Sequence, residues 1–317
     1  MAAQPATSSE LLNKVNDFLE YLEVERGASP LTIRNYKHYL SRFLAWIEGK
    51  KNIKKLSDIN LDVIRAYRVY LSRLPNEKGG NLAKSTQSYH VIALRSFIKW
   101  LTKNDFKVIS PEKIDLPKVS ERQVKFLSGD QVDRLLNAPT LSNITGKRDK
   151  AILEVLFCTG LRVSELVKLD REKIDLDRRE FGIVGKGGRG RVVFLSQRAT
   201  DWLENYLRAR KDKFKPLFIR HKGGKSDDNK GESMRLTPRS IQRMVKKYVK
   251  KIKLPVEATP HVLRHSFATD LLMAGADIRS VQEMLGHKNI STTQIYTHIT
   301  DKQLRDIHEA FHGKGGK

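Results

Sequence analysis

Several short segments of this 317-residue chain hold polar side chains at spacings that suit chemistry on an anionic group. In Thr259-Pro260-His261-Val262-Leu263-Arg264-His265 the threonine reads as a helix cap and the proline as the first helical residue. His261, Arg264 and His265 then fall at i, i+3 and i+4 on one face, with Leu263, Phe267, Leu271 and Leu272 as the buried stripe. Histidines at i and i+4 have a zinc-type spacing. The glutamate of a His-Glu-x-x-His site is absent, however, and an arginine crowds the face, so no metal site is expected. A histidine beside an arginine suits an anionic oxygen instead.

Upstream, Cys158-Thr159-Gly160-Leu161-Arg162-Val163-Ser164-Glu165-Leu166 places Arg162 at a helix start after a glycine turn. Glu165, three residues on, shares its face and either orients the guanidinium or forms an ordinary surface ion pair. Lys186 sits in the glycine-dense connection Gly185-Lys186-Gly187-Gly188-Arg189-Gly190, where taken alone it reads as a solvated loop lysine. It is followed by Gly187 rather than Ser or Thr, which excludes a nucleotide-binding P-loop. Asp277 caps a short helix that Gly286 ends, so His287 is presented just beyond it. Ser291-Thr292-Thr293 caps the next helix, which carries Tyr296. Alone, Tyr296 reads as a packing residue; in this company it becomes a candidate nucleophile.

These residues need elements to position them. Residues 10–117 read as helical: Leu11, Leu12, Val15, Phe18, Leu19 and Leu22 keep one helix face, and Ser29-Pro30 opens a second helix with Ile33, Tyr36, Leu40, Phe43, Leu44 and Ile47 inward. Further helices are expected over 61–74 and 86–101, making a small orthogonal bundle with Tyr36, Phe43, Trp46 and Trp100 in its core. Residues 1–9 read as a disordered tail and 118–127 as a polar linker. Structure restarts at the capping box Ser128-Gly129-Asp130-Gln131. Residues 128–317 mix helices with two short β runs, 181–184 and 191–195, joined by the glycine-dense connection. The expected fold is mainly α with a small β hairpin, in two domains.

The charge is the strongest global signal: 60 Lys+Arg against 36 Asp+Glu, net +24. The surplus is spread over both parts, as gripping a polyanion from two sides would require. The one cysteine, Cys158, allows no intrachain disulfide framework and reads as core filler in a reducing compartment. The N-terminus has no signal-peptide pattern and no run is long and apolar enough to span a membrane, so a soluble, cytoplasmic protein without a membrane partner is expected.

Thr159-Gly160-Leu161-Arg162-Val163-Ser164-Glu165-Leu166, Gly185-Lys186-Gly187, His261-x-x-Arg264-His265, Leu285-Gly286-His287 and Tyr296 stand in the order and at roughly the spacing of the tyrosine recombinase/integrase family. The chain resembles the Xer type across residues 10–312. The resemblance implies a C-shaped DNA clamp, with a four-helix core-binding domain followed by a catalytic domain. It implies Tyr296 as the nucleophile that forms a 3′-phosphotyrosyl link, with Arg162 and Arg264 on the scissile phosphate and His287 as a further donor. Lys186 would protonate the 5′-hydroxyl leaving group, and His261 would handle a proton near the tyrosine or phosphate. Glu165 would support, and His265 would be structural. No cofactor, metal or nucleotide is implied.

The implied partners are double-stranded DNA target sites, held by a homotetramer or a heterotetramer with a related recombinase. Strand exchange would pass through a Holliday junction, with a DNA translocase as a candidate accessory. Chromosome or plasmid dimer resolution at the nucleoid is the implied role. Competing readings are a mobile-element integrase, a type IB topoisomerase with the same chemistry, and a non-catalytic helix-turn-helix regulator suggested by residues 277–296. The complete polar set speaks against the regulator. The polar stretch 222–232 looks long for the family. Leu304, Ile307, Ala310 and Phe311 suggest a short last helix that packs on its own domain or, as in the family, docks into a neighbouring subunit.

Overall fold

The computed structural model describes residues 6–50, 53, 55–76, 79–117, 125–185, 190–222 and 230–286. The chain forms two compact units, residues 1–122 and 123–317.

The first unit holds helices α1 (Ala6–Val24), α2 (Pro30–Glu48), α3 (Leu61–Arg73) and α4 (Lys84–Lys103). α1 begins at Ala6, inside the stretch expected to be tail, and residues 1–5 lie outside the described residues. Ser29 caps α2, its hydroxyl accepting from the Thr32 amide at 3.3 Å, and Pro30 follows at the first helical position, where its missing N–H costs nothing. Asn60 caps α3 in the same way, through the Val63 amide at 3.0 Å. The four amphipathic faces meet over Phe18, Leu40, Phe43, Ile64, Tyr67, Leu71, Phe97 and Ile98, all buried. Burying each such side chain contributes roughly 1.5–3 kcal/mol. Phe43 and Tyr67 add an edge contact at 4.9 Å, while Tyr36, Trp46 and Trp100 pack partly buried around this core.

The second unit holds α5 (Gly129–Leu136), α6 (Ile144–Thr159), α7 (Val163–Leu166), β1 (Glu180–Val184), β2 (Gly190–Phe194), α8 (Gln197–Ala209), α9 (Pro238–Lys251), α10 (Pro260–Met273) and α11 (Ile278–Leu285). The Ser128 capping box opens α5, with the Gln131 side chain accepting from the Ser128 amide at 3.1 Å. α6 packs between α8 and α10 and buries Ala151, Ile152, Leu153, Val155 and Leu156. Such all-round burial is what a helix apolar on every side requires. The same helix also buries Lys150 and Glu154, paired at 2.7 Å, and Arg198 Nε donates to Glu154 at 2.8 Å. The charges survive burial because each has an opposite partner.

β1 and β2 form an antiparallel hairpin in the register Phe181↔Val193, Gly182↔Val192 and Ile183↔Arg191. Phe181, Ile183 and Val193 enter the core, whereas Val184, Val192 and Phe194 are exposed. Among the described residues no helix is long and apolar enough to cross a membrane.

Candidate active site

Two left-handed glycines frame the site. Gly160 (φ 58°) ends α6 and Gly286 (φ 64°) ends α11, a conformation that costs a residue with a side chain about 1–2 kcal/mol. The space a Cβ would take at Gly160 is filled by Phe267 and Leu285. The α6 turn therefore lies flush against the small core of Phe267, Leu272, Val281 and Leu285 between α10 and α11.

Arg264 lies in this junction, buried on α10. Its Nη1 donates to the Gly160 carbonyl and its Nη2 to the Leu285 carbonyl at 2.6 Å, so one guanidinium bridges both glycine turns. Arg162 stands on the other side of the second turn and donates from Nη2 to the Gly286 carbonyl at 3.2 Å. Two arginines thus hold consecutive carbonyls directly before His287.

Arg162 is also the N-cap of α7, and Glu165 returns its carboxylate to the Arg162 amide and Nη1, each at 2.9 Å. The second side of that carboxylate meets Arg191 of β2, whose Nη1 and Nη2 donate at 3.2 and 2.9 Å. Burial opposes ionisation of Glu165, but hydrogen bonds from Arg191 and Arg162 win and hold its carboxyl below the ordinary glutamate range. Two guanidiniums share this one carboxylate, which leaves the group with a net positive charge.

His261, exposed at the start of α10, has its imidazole pushed below the ordinary range by partial desolvation and then by Arg264 and Arg162. That shift favours the neutral imidazole, the form able to accept a proton. His265, half-buried one turn on, is lowered by burial and by His261 and Arg264. Thr259 caps this helix through the Val262 amide at 3.3 Å, and Pro260 follows, as the sequence pattern indicates.

The structure thus brings together Arg162, Glu165, His261, Arg264 and His265. Lys186, His287 and Tyr296 lie outside the described residues, as does the stretch 304–311. Sequence reasoning missed Arg191. Its only local signal is a charge inside an otherwise apolar strand, Arg191-Val192-Val193-Phe194-Leu195.

Comparison with known proteins gives the family. The profile of the phage integrase family matches residues 125–303, and that of the phage integrase N-terminal SAM-like domain matches residues 15–105. Tyrosine recombinase XerD of Lacticaseibacillus casei is 36% identical over 302 residues, covering 95% of this chain and 99% of its own. The chain belongs to the phage integrase family of tyrosine recombinases. It is a site-specific recombinase of the Xer kind, an enzyme that breaks and rejoins DNA strands. Tyrosine recombinase XerC of Pelotomaculum thermopropionicum is likewise 36% identical, over 94% of this recombinase and 97% of its own length. The crystal structure of XerA recombinase aligns at 30% identity and TM-score 0.51, covering 98% of this chain and 100% of that one. XerH, crystallised with a palindromic difH substrate, shares the fold at TM-score 0.74 and 21% identity, over 98% of each chain.

Proposed function

We propose that this recombinase opens each DNA strand by attack of the Tyr296 hydroxyl on the scissile phosphate. The Tyr–O–P bond forms, the P–O5′ bond breaks, and a 3′-phosphotyrosyl link keeps the bond energy for religation. Arg162 and Arg264 neutralise the charge that gathers on the non-bridging oxygens, with His287 as a further donor. His261 takes the proton from the phenol, and Lys186 delivers one to the departing 5′-oxygen. Glu165 aligns Arg162, and His265 stays structural behind His261. Because guanidiniums supply the positive charge, the route needs no metal and no nucleotide.

The observation that carries this reading is the pair of arginines on consecutive carbonyls, Leu285 and Gly286, one of them three residues from His261 on the same helix. Preset donors cost no reorganisation during the reaction, and one such donor is typically worth about 10²–10³ in kcat.

The Xer relatives, and the crystal structure of XerH bound to its difH substrate, support duplex target sites as the substrate. We propose assembly as a tetramer of one or two related subunits on two sites, with strand exchange through a Holliday junction. Dimer resolution at the nucleoid is the role, and a DNA translocase is the accessory partner. On this reading the first unit is a core-binding domain and the second a catalytic domain; Leu127, at the end of the expected linker, is already buried in the second core, its amide donating to Ser266 Oγ at 2.8 Å.

Tyr296→Phe on a nicked suicide substrate tests the assignment. The variant should bind site DNA as the parent does and form no covalent adduct on denaturing gels. An adduct formed by the phenylalanine variant would overturn it.

A further inference from the structure

We infer that Arg191 is a positioning residue of the recombinase: it ties the hairpin whose connection carries Lys186 to the Arg162 phosphate cradle. The inference rests on the proposed role of Arg162.

Arg191 lies on β2 opposite Ile183, one residue pair from Val184↔Gly190, where the ladder opens into its connection. Its side chain is only 12% exposed and turns away from the exposed face of Val184, Val192 and Phe194. A strand that buries an arginine this far loses stability unless a specific partner compensates. The partner is Glu165, gripped by both Nη atoms in a fork-to-carboxylate geometry that a lysine cannot reproduce.

Glu165 in turn gives its other bonds to Arg162, at both the amide and the guanidinium. Arg162 engages one carboxylate oxygen through its amide and the other through Nη1, and the Arg191 fork adds a second bond to each, across a last torsion that is intrinsically broad and soft. With four bonds from two sides the carboxylate plane is stiffened, and with it the direction in which Arg162 is presented.

A second contact points the same way. A Cβ at Gly286 would stand 2.7 Å from Arg191 Nη1, so the guanidinium packs closely against the turn whose carbonyl Arg162 holds. Arg191 therefore touches two of the supports of Arg162 and belongs to the strand that leaves the Lys186 connection. A hairpin displaced from its place would drag Glu165 with it and misalign the cradle. Cleavage is coupled in this way to correct seating of the element that carries the leaving-group acid.

The test is a double-mutant cycle on the full-length protein and a nicked suicide substrate, reading the single-turnover rate of covalent adduct formation at saturating DNA. Arg191→Met keeps the stem and volume but loses the fork; Arg191→Lys keeps the charge without it. Thermal unfolding and DNA affinity are measured for each. Arg191→Met should slow cleavage by about tenfold to a hundredfold with DNA affinity unchanged, the scale of a small misplacement of a catalytic group. Arg191→Lys should recover only part of that loss. Arg162→Ala should be slower than either, and adding Arg191→Met to it should cost no further rate, because the two act through one path. If Arg191→Met does not fold, Arg191→Lys in the same cycle decides the matter. Multiplying losses, or parent-like cleavage by the Arg191 variants beside an inactive Arg162→Ala, would overturn the coupling alone. Parent-like cleavage by Arg162→Ala would instead overturn the underlying assignment of the phosphate cradle.

Discussion

Replacing Glu165 by glutamine removes one charge from the centre of the site while keeping its shape. The amide nitrogen that replaces one carboxylate oxygen cannot accept, so the guanidinium bonds to that oxygen are lost. Arg162 and Arg191 are then left with no anion between them. The magnitude depends on whether these are surface or buried pairs. Exposed ion pairs contribute about 0–1 kcal/mol, whereas breaking a buried one costs about 3–5. Side-chain exposures of 8% for Glu165, 12% for Arg191 and 29% for Arg162 place the set near the buried regime, discounted for the wetter Arg162. The expected loss is therefore about 3 kcal/mol, at the lower end of that range.

For a unit of this size each kcal/mol moves Tm by roughly 2–4 °C, so Glu165→Gln should melt about 6–12 °C lower. The assay is thermal unfolding followed by circular dichroism, run beside adduct formation on a nicked substrate. Cleavage should slow as well, because the cradle loses its aligner. The pH dependence has a definite sign. The folded-state pKa is depressed, so Glu165 contributes stability above the ordinary carboxylate range and loses it as pH falls through the folded value. The gap between parent and variant should accordingly close at acid pH and remain full at neutral pH. A variant that melts within 2 °C of the parent at neutral pH and cleaves normally would refute the buried-pair reasoning, the threshold being the lower slope for a single kcal/mol, ~2 °C.

Gly160→Ala combines a left-handed φ of 58° with a Cβ placed 2.5 Å from Phe267 Cδ1. Strain of about 1–2 kcal/mol and overpacking of about 1–3 should add, and parent-like melting would show that α10 can yield. His261 is shifted toward the neutral form by desolvation, Arg264 and Arg162, so cleavage should be flat through neutral pH. It should fall only as pH drops below the ordinary imidazole range, where folding stability is lost too. An imidazole titrating by NMR at or above its ordinary value would contradict this. For the proposed role of Lys186, Lys186→Ala should be slow on ordinary DNA and largely restored on a 5′-bridging phosphorothiolate, whose leaving group needs no proton. Equal impairment on both substrates would move the acid elsewhere.

The parts of this fold that are written locally were legible in the sequence. Ser29, Ser128, Thr259 and Asp277 are caps because their side chains reach amides two or three residues on, and spacing alone reveals that. Gly160 and Gly286 mark helix ends for a different local reason, since without a Cβ they enter the left-handed region at little cost. The capping contact of Glu165 with Arg162 spans three residues and was equally visible, but its second partner was not. Arg191 comes from a strand in which both alternating faces are apolar enough to be buried. Only the tertiary packing decides that Val192 and Phe194 face out while Arg191 faces in. The buried Lys150–Glu154 pair escaped notice likewise, because an i,i+4 pair looks the same on a wet helix face as inside a core. Arg264 was read as a phosphate ligand, and its grip on two backbone carbonyls could not be foreseen, since backbone acceptors leave no trace in residue type.

That grip has a consequence for the cell. Arg264 joins carbonyls 104 and 21 residues away, and Arg162 holds one 124 residues away. A chain leaving the ribosome exposes Arg162 long before Gly286 exists, and a protease nicking between them separates the halves of the cradle. Until α11 has closed on α6 and α10 these bonds cannot form, so the frame that presents the two guanidiniums is a property of the completed fold and of no single segment.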